Sequence, residues 1–116
     1  MAGPRWVRLD VEYFHNPKTS GVTPVAQVLH LASICWAGAH LTDGHIPAHI
    51  VPQLRTAARA KPEHVAQLVA ARLWIPVGDG FEIHDYLAMQ DSREQVERRR
   101  KRTAERITKW RADRDM

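Results

Sequence analysis

At 116 residues and 44% apolar content, the chain is long enough for one globular domain with an appendage, and its core needs no disulfide or metal staples. Cys35 is the single cysteine, so no disulfide framework exists within the chain, which suits a reducing cytoplasm. The N-terminal MAGPRWVRLD lacks the apolar run of a signal peptide, and no stretch approaches the length that spans a bilayer.

The formal net charge of +4 is unevenly placed. Residues 1–90 balance Arg5, Arg8, Lys18, Arg55, Arg59, Lys61 and Arg72 against Asp10, Glu12, Asp43, Glu63, Asp79, Glu82 and Asp85. The whole excess therefore lies in residues 91–116. A neutral domain with a basic tail points to a polyanionic partner for the tail, against the plainer reading of a well-solvated segment.

Trp6 to Phe14 carries β-type residues in partial alternation and reads as a short strand or extended arm, broken by Asn16-Pro17-Lys18. Thr23 is a good N-cap and Pro24 a good first residue for a helix running to about Ala39. Its inner face is expected to be Val25, Val28, Leu29, Ala32, Cys35, Trp36 and Ala39. Ile34 falls opposite, among Gln27, His30 and Gly38, which suggests a second contact: the N-terminal arm, the C-terminal helix or another subunit.

A Thr-Asp-Gly turn then leads into a short strand, Gly44-His45-Ile46, and Pro47 suits the first position of a second helix. Ile50, Val51, Leu54, Ala57 and Ala58 recur there at helical spacing. Arg55 and Arg59, four apart on its outer face, form with Lys61 the best phosphate-binding cluster within the domain. Two solvated arginines on an exposed face are the bland alternative. Pro62 opens a third helix with Val65, Leu68, Val69 and Leu73 on one side. Its outward side is Glu63, His64, Gln67, Ala70 and Ala71, a poor reader of bases, since only His64 and Gln67 can bond to base edges. Arg72 lies towards the inner edge and is expected to snorkel out at the helix end. Leu73 to Val77, a Gly78-Asp79-Gly80 turn and Phe81-Glu82-Ile83 read as a β-hairpin with a negative tip.

Ser92-Arg93-Glu94-Gln95 matches a capping box, and Glu94/Arg98, Glu97/Lys101 and Glu105/Lys109 have the favourable spacing, so a helix of about 20 residues follows. The run Arg98, Arg99, Arg100, Lys101, Arg102, with Arg106 beyond it, circles this helix and can grip phosphates of DNA or RNA. Trp110 can pack on the domain or on a base. A solvated, partly frayed helix or a linker is the competing reading.

The order helix, strand, helix, helix, hairpin is the layout of a winged helix. Trp6-Val7-Arg8-Leu9-Asp10, His15-Asn16-Pro17-Lys18, Leu41-Thr42-Asp43-Gly44-His45-Ile46-Pro47, Trp74, Gly78 to Leu87, Gln90 and Ser92-Arg93-Glu94 together resemble the N-terminal domain of phage replisome organisers and DnaD-like helicase loaders. The resemblance implies a mainly α, α+β fold: a winged helix-turn-helix with an N-terminal arm in residues 1–90, and a long basic C-terminal helix or linker in residues 91–116. It further implies a DNA-binding role in replication initiation in the cytoplasm of a bacterial host. The contacts expected from the residues themselves are Arg55, Arg59, Lys61, His64, Gln67, Arg72, Arg98, Arg99, Arg100, Lys101, Arg102 and Arg106. A protein–protein adaptor that docks Ala70 and Ala71 on a replisome or host protein is the rival reading, and a phage transcriptional regulator acting as a homodimer is a third.

Enzyme chemistry is not expected. The chain has no Gly-rich phosphate loop, no nucleophile elbow and no paired-cysteine zinc signature. Cys35, His40, His45 and His49 invite a metal reading, but Pro47 separates the two best-spaced histidines, so neither metal nor cofactor is expected. In His84-Asp85-Tyr86, Asp85 is more simply a helix cap, and His30 reads as a half-exposed polar residue.

Overall fold

A computed structural model of the protein describes residues 3–115. The elements are α1 (Pro17–Ser20), α2 (Pro24–His40), β1 (His45–Pro47), a 3₁₀ turn (Ala48–Ile50), α3 (Val51–Ala58), α4 (Pro62–Ala70), β2 (Trp74–Val77), β3 (Gly80–Ile83), α5 (Tyr86–Met89) and α6 (Arg93–Arg114). Helices therefore combine with one antiparallel three-stranded sheet of order β1-β3-β2, an α+β fold.

The core sits between α2, α3, α4 and the sheet. Leu29, Ile46, Leu68 and Trp74 are fully buried, Leu54, Ala58, Leu73, Ile83 and Tyr86 nearly so, and Trp36 and Val69 pack against them half-buried. Thr23 caps α2 and Pro24 starts it, as expected. The inner face of α2 is nevertheless rotated from the expected one. Ala26, Leu29, His30, Ser33, Ala37 and Gly38 are buried, while Val28, Cys35 and Ala39 are exposed. Two polar side chains point inward because each has a partner there. The Trp74 indole N–H donates to Ser33 Oγ (3.1 Å), and Ser33 donates to the His30 carbonyl (2.6 Å). His30 Nδ1 lies 2.8 Å from the Tyr13 hydroxyl. His30 is thus a core residue rather than a half-exposed one. Burial without a counter-charge lowers its pKa to about 4 and raises that of Tyr13 to about 12.

Pro47 does not open a helix. It ends β1, an edge strand paired through β3, where a missing N–H is tolerated, and Pro52 occupies the first turn of α3 instead. A side chain at Gly80 would place its Cβ 2.1 Å from the Ile46 carbonyl oxygen, so glycine is what lets β3 approach β1. The hairpin turn is anchored to β1: the Ala48 N–H donates to the Asp79 carbonyl (2.9 Å), and His45 Nε2 lies 3.3 Å from Asp79 Oδ2.

The N-terminal segment forms an arm and no strand. The side-chain amide of Gln90 stands in for a neighbouring strand, accepting from the Arg8 N–H (2.9 Å) and donating to the Arg8 carbonyl (2.6 Å). Gly38 provides the space, since a Cβ there would sit 2.5 Å from Val7 Cγ1. Ile34 is half-buried, packs against the core and lines a cavity together with Leu9 and Tyr13 of the N-terminal segment. Asp85 precedes α5 but makes no capping bond. Its residue has φ 59°, and its carboxylate lies 3.2 Å from His84 Nε2.

The capping box of α6 is formed, with the Gln95 N–H donating to Ser92 Oγ (3.1 Å) and the Ser92 N–H to Gln95 Oε1 (2.8 Å). The helix has 22 residues, about 33 Å at the usual rise. Val96 is buried, and every residue from Glu97 to Asp115 is exposed. Its projection accounts for the elongated outline of 63 × 31 × 23 Å.

Candidate nucleic-acid interface

The sequence-derived contacts divide into three groups with different fates. Arg55, Arg59 and Lys61 all fall at the junction of α3 and α4. Arg59 is not a helix-face neighbour of Arg55, because it closes α3 in the left-handed region with φ 55°. Arg55 is half-buried and its Nε donates to the Ala60 carbonyl (3.3 Å), which ties it to the junction. Arg59 and Lys61 are exposed. This corner keeps two accessible cations.

On α4 the two residues able to read bases each engage one atom within the protein. His64 Nδ1 accepts the Lys61 N–H (2.8 Å) and closes the helix N-terminus. Gln67 Oε1 accepts both the N–H (3.1 Å) and the hydroxyl (2.9 Å) of Thr23. Glu63 and Ala70 are exposed, but Ala71 packs half-buried on the core, so the expected small-residue face is reduced to Ala70. Arg72 is exposed, as expected, and sits just past the helix with φ 60°.

The third group lies on α6, and its first turns are held by the body. Asp91 Oδ2 accepts from Arg99 (2.7 Å), and Asp91 Oδ1 from Arg8 of the arm (3.0 Å). These bonds, that from Arg99 foremost, hold the Asp91 carboxyl below its usual range. Arg100 donates to the Gly3 carbonyl (3.1 Å), and the Arg93 N–H to Asp43 (2.6 Å). Arg98 pairs with Glu94, and Arg93 with Glu97 (2.9 Å). The expected pairs Glu97/Lys101 and Glu105/Lys109 are not formed.

Beyond Arg100 the picture changes. Lys101, Arg102, Arg106, Lys109, Arg111 and Arg114 form no ion pair or side-chain hydrogen bond among the described residues; Arg114 rests over the Trp110 ring at 5.3 Å. The cationic run does not merely circle the helix, because Arg99, Arg102, Thr103 and Arg106 line one shallow depression. Trp110 packs on no part of the body and is 59% exposed. Lys109, Arg111 and Arg114 were absent from the sequence-derived set. The signal for them was available in the capping box, which starts one helix long enough to reach all three.

Among the described residues, no three His, Cys, Asp or Glu side chains come together as a metal-binding group, and no helix is long and apolar enough to cross a membrane. Comparison with protein-family models, with curated proteins and with solved structures finds no match to this chain.

Proposed function

We propose that this chain is a winged-helix DNA-binding protein of the phage replication-initiation type, acting in a bacterial cytoplasm and gripping nucleic acid mainly through phosphates. The winged-helix reading is supported by the order α2-β1-α3-α4-β2-β3 and by a sheet that runs β1-β3-β2. The observation that carries the binding role is the free half of α6. Six cations from Lys101 to Arg114 stand in solvent with no ion pair or side-chain hydrogen bond among the described residues, outnumbering Glu105, Asp113 and Asp115 beside them, on a body whose residues 1–90 carry balanced charge. Such an arrangement attracts a polyanion by counterion release and carries no sequence information by itself. Arg59 and Lys61 supply a smaller second contact. The engaged states of His64 and Gln67 argue against site-specific regulation by α4.

The adaptor reading keeps one specific support. Trp6, Leu9, Val11 and Phe14 of the arm are all exposed, with Val11 at 90%, and an apolar group of this kind suits a protein partner. The two readings separate in a salt-titrated binding assay with duplex DNA, single-stranded DNA and RNA. Binding to nucleic acid that weakens steeply with salt is expected. Absence of any binding at low salt would defeat the DNA reading and leave the adaptor.

A further inference from the structure

We infer that the free half of α6 enters the major groove of B-form duplex DNA, rather than lying along a single strand or the outside of a backbone. This inference rests on the proposed nucleic-acid role and specifies its ligand. At 3.6 residues per turn, Thr103, Ile107 and Trp110 continue the line of Val96 along one side of the helix. Ile107 and Trp110 are 44% and 59% exposed there, beyond the point where Val96 meets the body. Arg102, Arg106 and Asp113 lie along one side of this strip and Arg111 and Asp115 along the other, Arg114 continues its line over the Trp110 ring, and Lys101, Glu105 and Lys109 fall behind it.

The flanks decide what can cover the strip. A second copy of α6 would bring Arg102, Arg106 and Arg111 of each copy to the shared edges, where like charges outnumber Asp113 and Asp115 and oppose pairing. An anionic bilayer tolerates the arginines, but Ile107 and Trp110 offer too little apolar area for insertion. A major groove has anionic walls on both sides and base edges with thymine methyls between them. Its width of about 12 Å admits a helix of about 10–12 Å. The deep, narrow groove of A-form RNA does not. Arginine suits the walls because its planar fork bonds phosphate oxygens in pairs.

The test measures affinity of the full chain for a short duplex at several salt concentrations. A matching duplex carries glucosylated 5-hydroxymethylcytosines, which fill the major groove and leave the phosphates in place. Affinity for it should fall by about tenfold or more. Saturating the minor groove with a small ligand should change nothing, and duplex RNA should bind more weakly. Arg102→Gln and Arg111→Gln, on opposite flanks, should each lower the slope of log affinity against log salt by about 0.9, whereas Ile107→Ala should lower affinity at an unchanged slope.

Unchanged affinity for the glucosylated duplex, or a slope that responds on one flank only, overturns the groove placement while the nucleic-acid role stands. Dimerisation without DNA that Ile107→Ala abolishes assigns the strip to a second copy and also overturns it. Failure to bind any nucleic acid removes the underlying reading instead.

Discussion

Gln67 and Thr23 are joined by two hydrogen bonds, from the Thr23 N–H (3.1 Å) and the Thr23 hydroxyl (2.9 Å) to Gln67 Oε1, so the side chain best suited to an adenine holds α4 against the start of α2. Gln67→Ala is expected to destabilise the fold by about 1 kcal/mol, the usual net worth of such bonds, and to leave DNA affinity unchanged. Thermal melting and a binding isotherm check both. A large affinity loss at full stability would return Gln67 to the nucleic-acid interface.

Leu68 is fully buried where α4 meets the core. Leu68→Ala should cost about 2–5 kcal/mol as a truncation that leaves a cavity. Ser33→Ala should cost about 1–3 kcal/mol by a different route, since the buried Trp74 indole N–H loses its acceptor. Denaturant unfolding measures each, and an unmoved midpoint in either variant would contradict the packing described.

His30 makes stability depend on pH. Its pKa is about 4 in the folded protein against 6.5 unfolded, so the unfolded chain takes up the proton first on acidification. The stabilising contribution is complete above about pH 6.5 and is lost as pH falls towards 4; the full loss is on the order of 3 kcal/mol. His30→Phe, which keeps a ring but cannot charge, should flatten the pH profile of the unfolding midpoint between 4 and 6.5. An equally steep profile in that variant would place the titration elsewhere.

Much of the fold was legible because turn chemistry and caps are local. Thr23-Pro24, Pro62, Gly78-Asp79-Gly80 and Ser92 with Gln95 each mark a boundary that the structure keeps. The face of α2 was not legible, since that helix is apolar on nearly every side and periodicity cannot choose among its faces. The choice falls to tertiary partners, Trp74 for Ser33 and Tyr13 for His30, which lie far away in sequence. Pro47 misled for a related reason. Proline suits an edge strand as well as a first helical turn, and pairing with Gly80 decides between them. For the candidate interface, charge excess could be counted from residues, but which cations are spent inside the protein could not. Asp91 takes up Arg8 and Arg99, and Gly3 takes up Arg100, through contacts set by the docking of α6.

The corner formed by Arg59 and Lys61 is expected to be secondary. Replacing both with Gln should reduce the salt slope by no more than about 2, equally for all duplex sequences, with the fold unaffected. A larger change, or one confined to certain sequences, would make the α3–α4 junction the principal contact.

The most direct test compares the full chain with one ending at Arg100, which keeps Val96, the Asp91–Arg99 pair and the Arg100–Gly3 contact that seat α6 on the body. Circular dichroism and melting establish that the shortened chain is folded, and both proteins are then titrated with duplex DNA across a salt series. Loss of most affinity is expected, with the slope of log affinity against log salt flattened by about 5 if the six removed cations each contact a phosphate. A folded, shortened chain that binds duplex DNA with the same affinity and the same slope would contradict the assignment of α6 as the anchor.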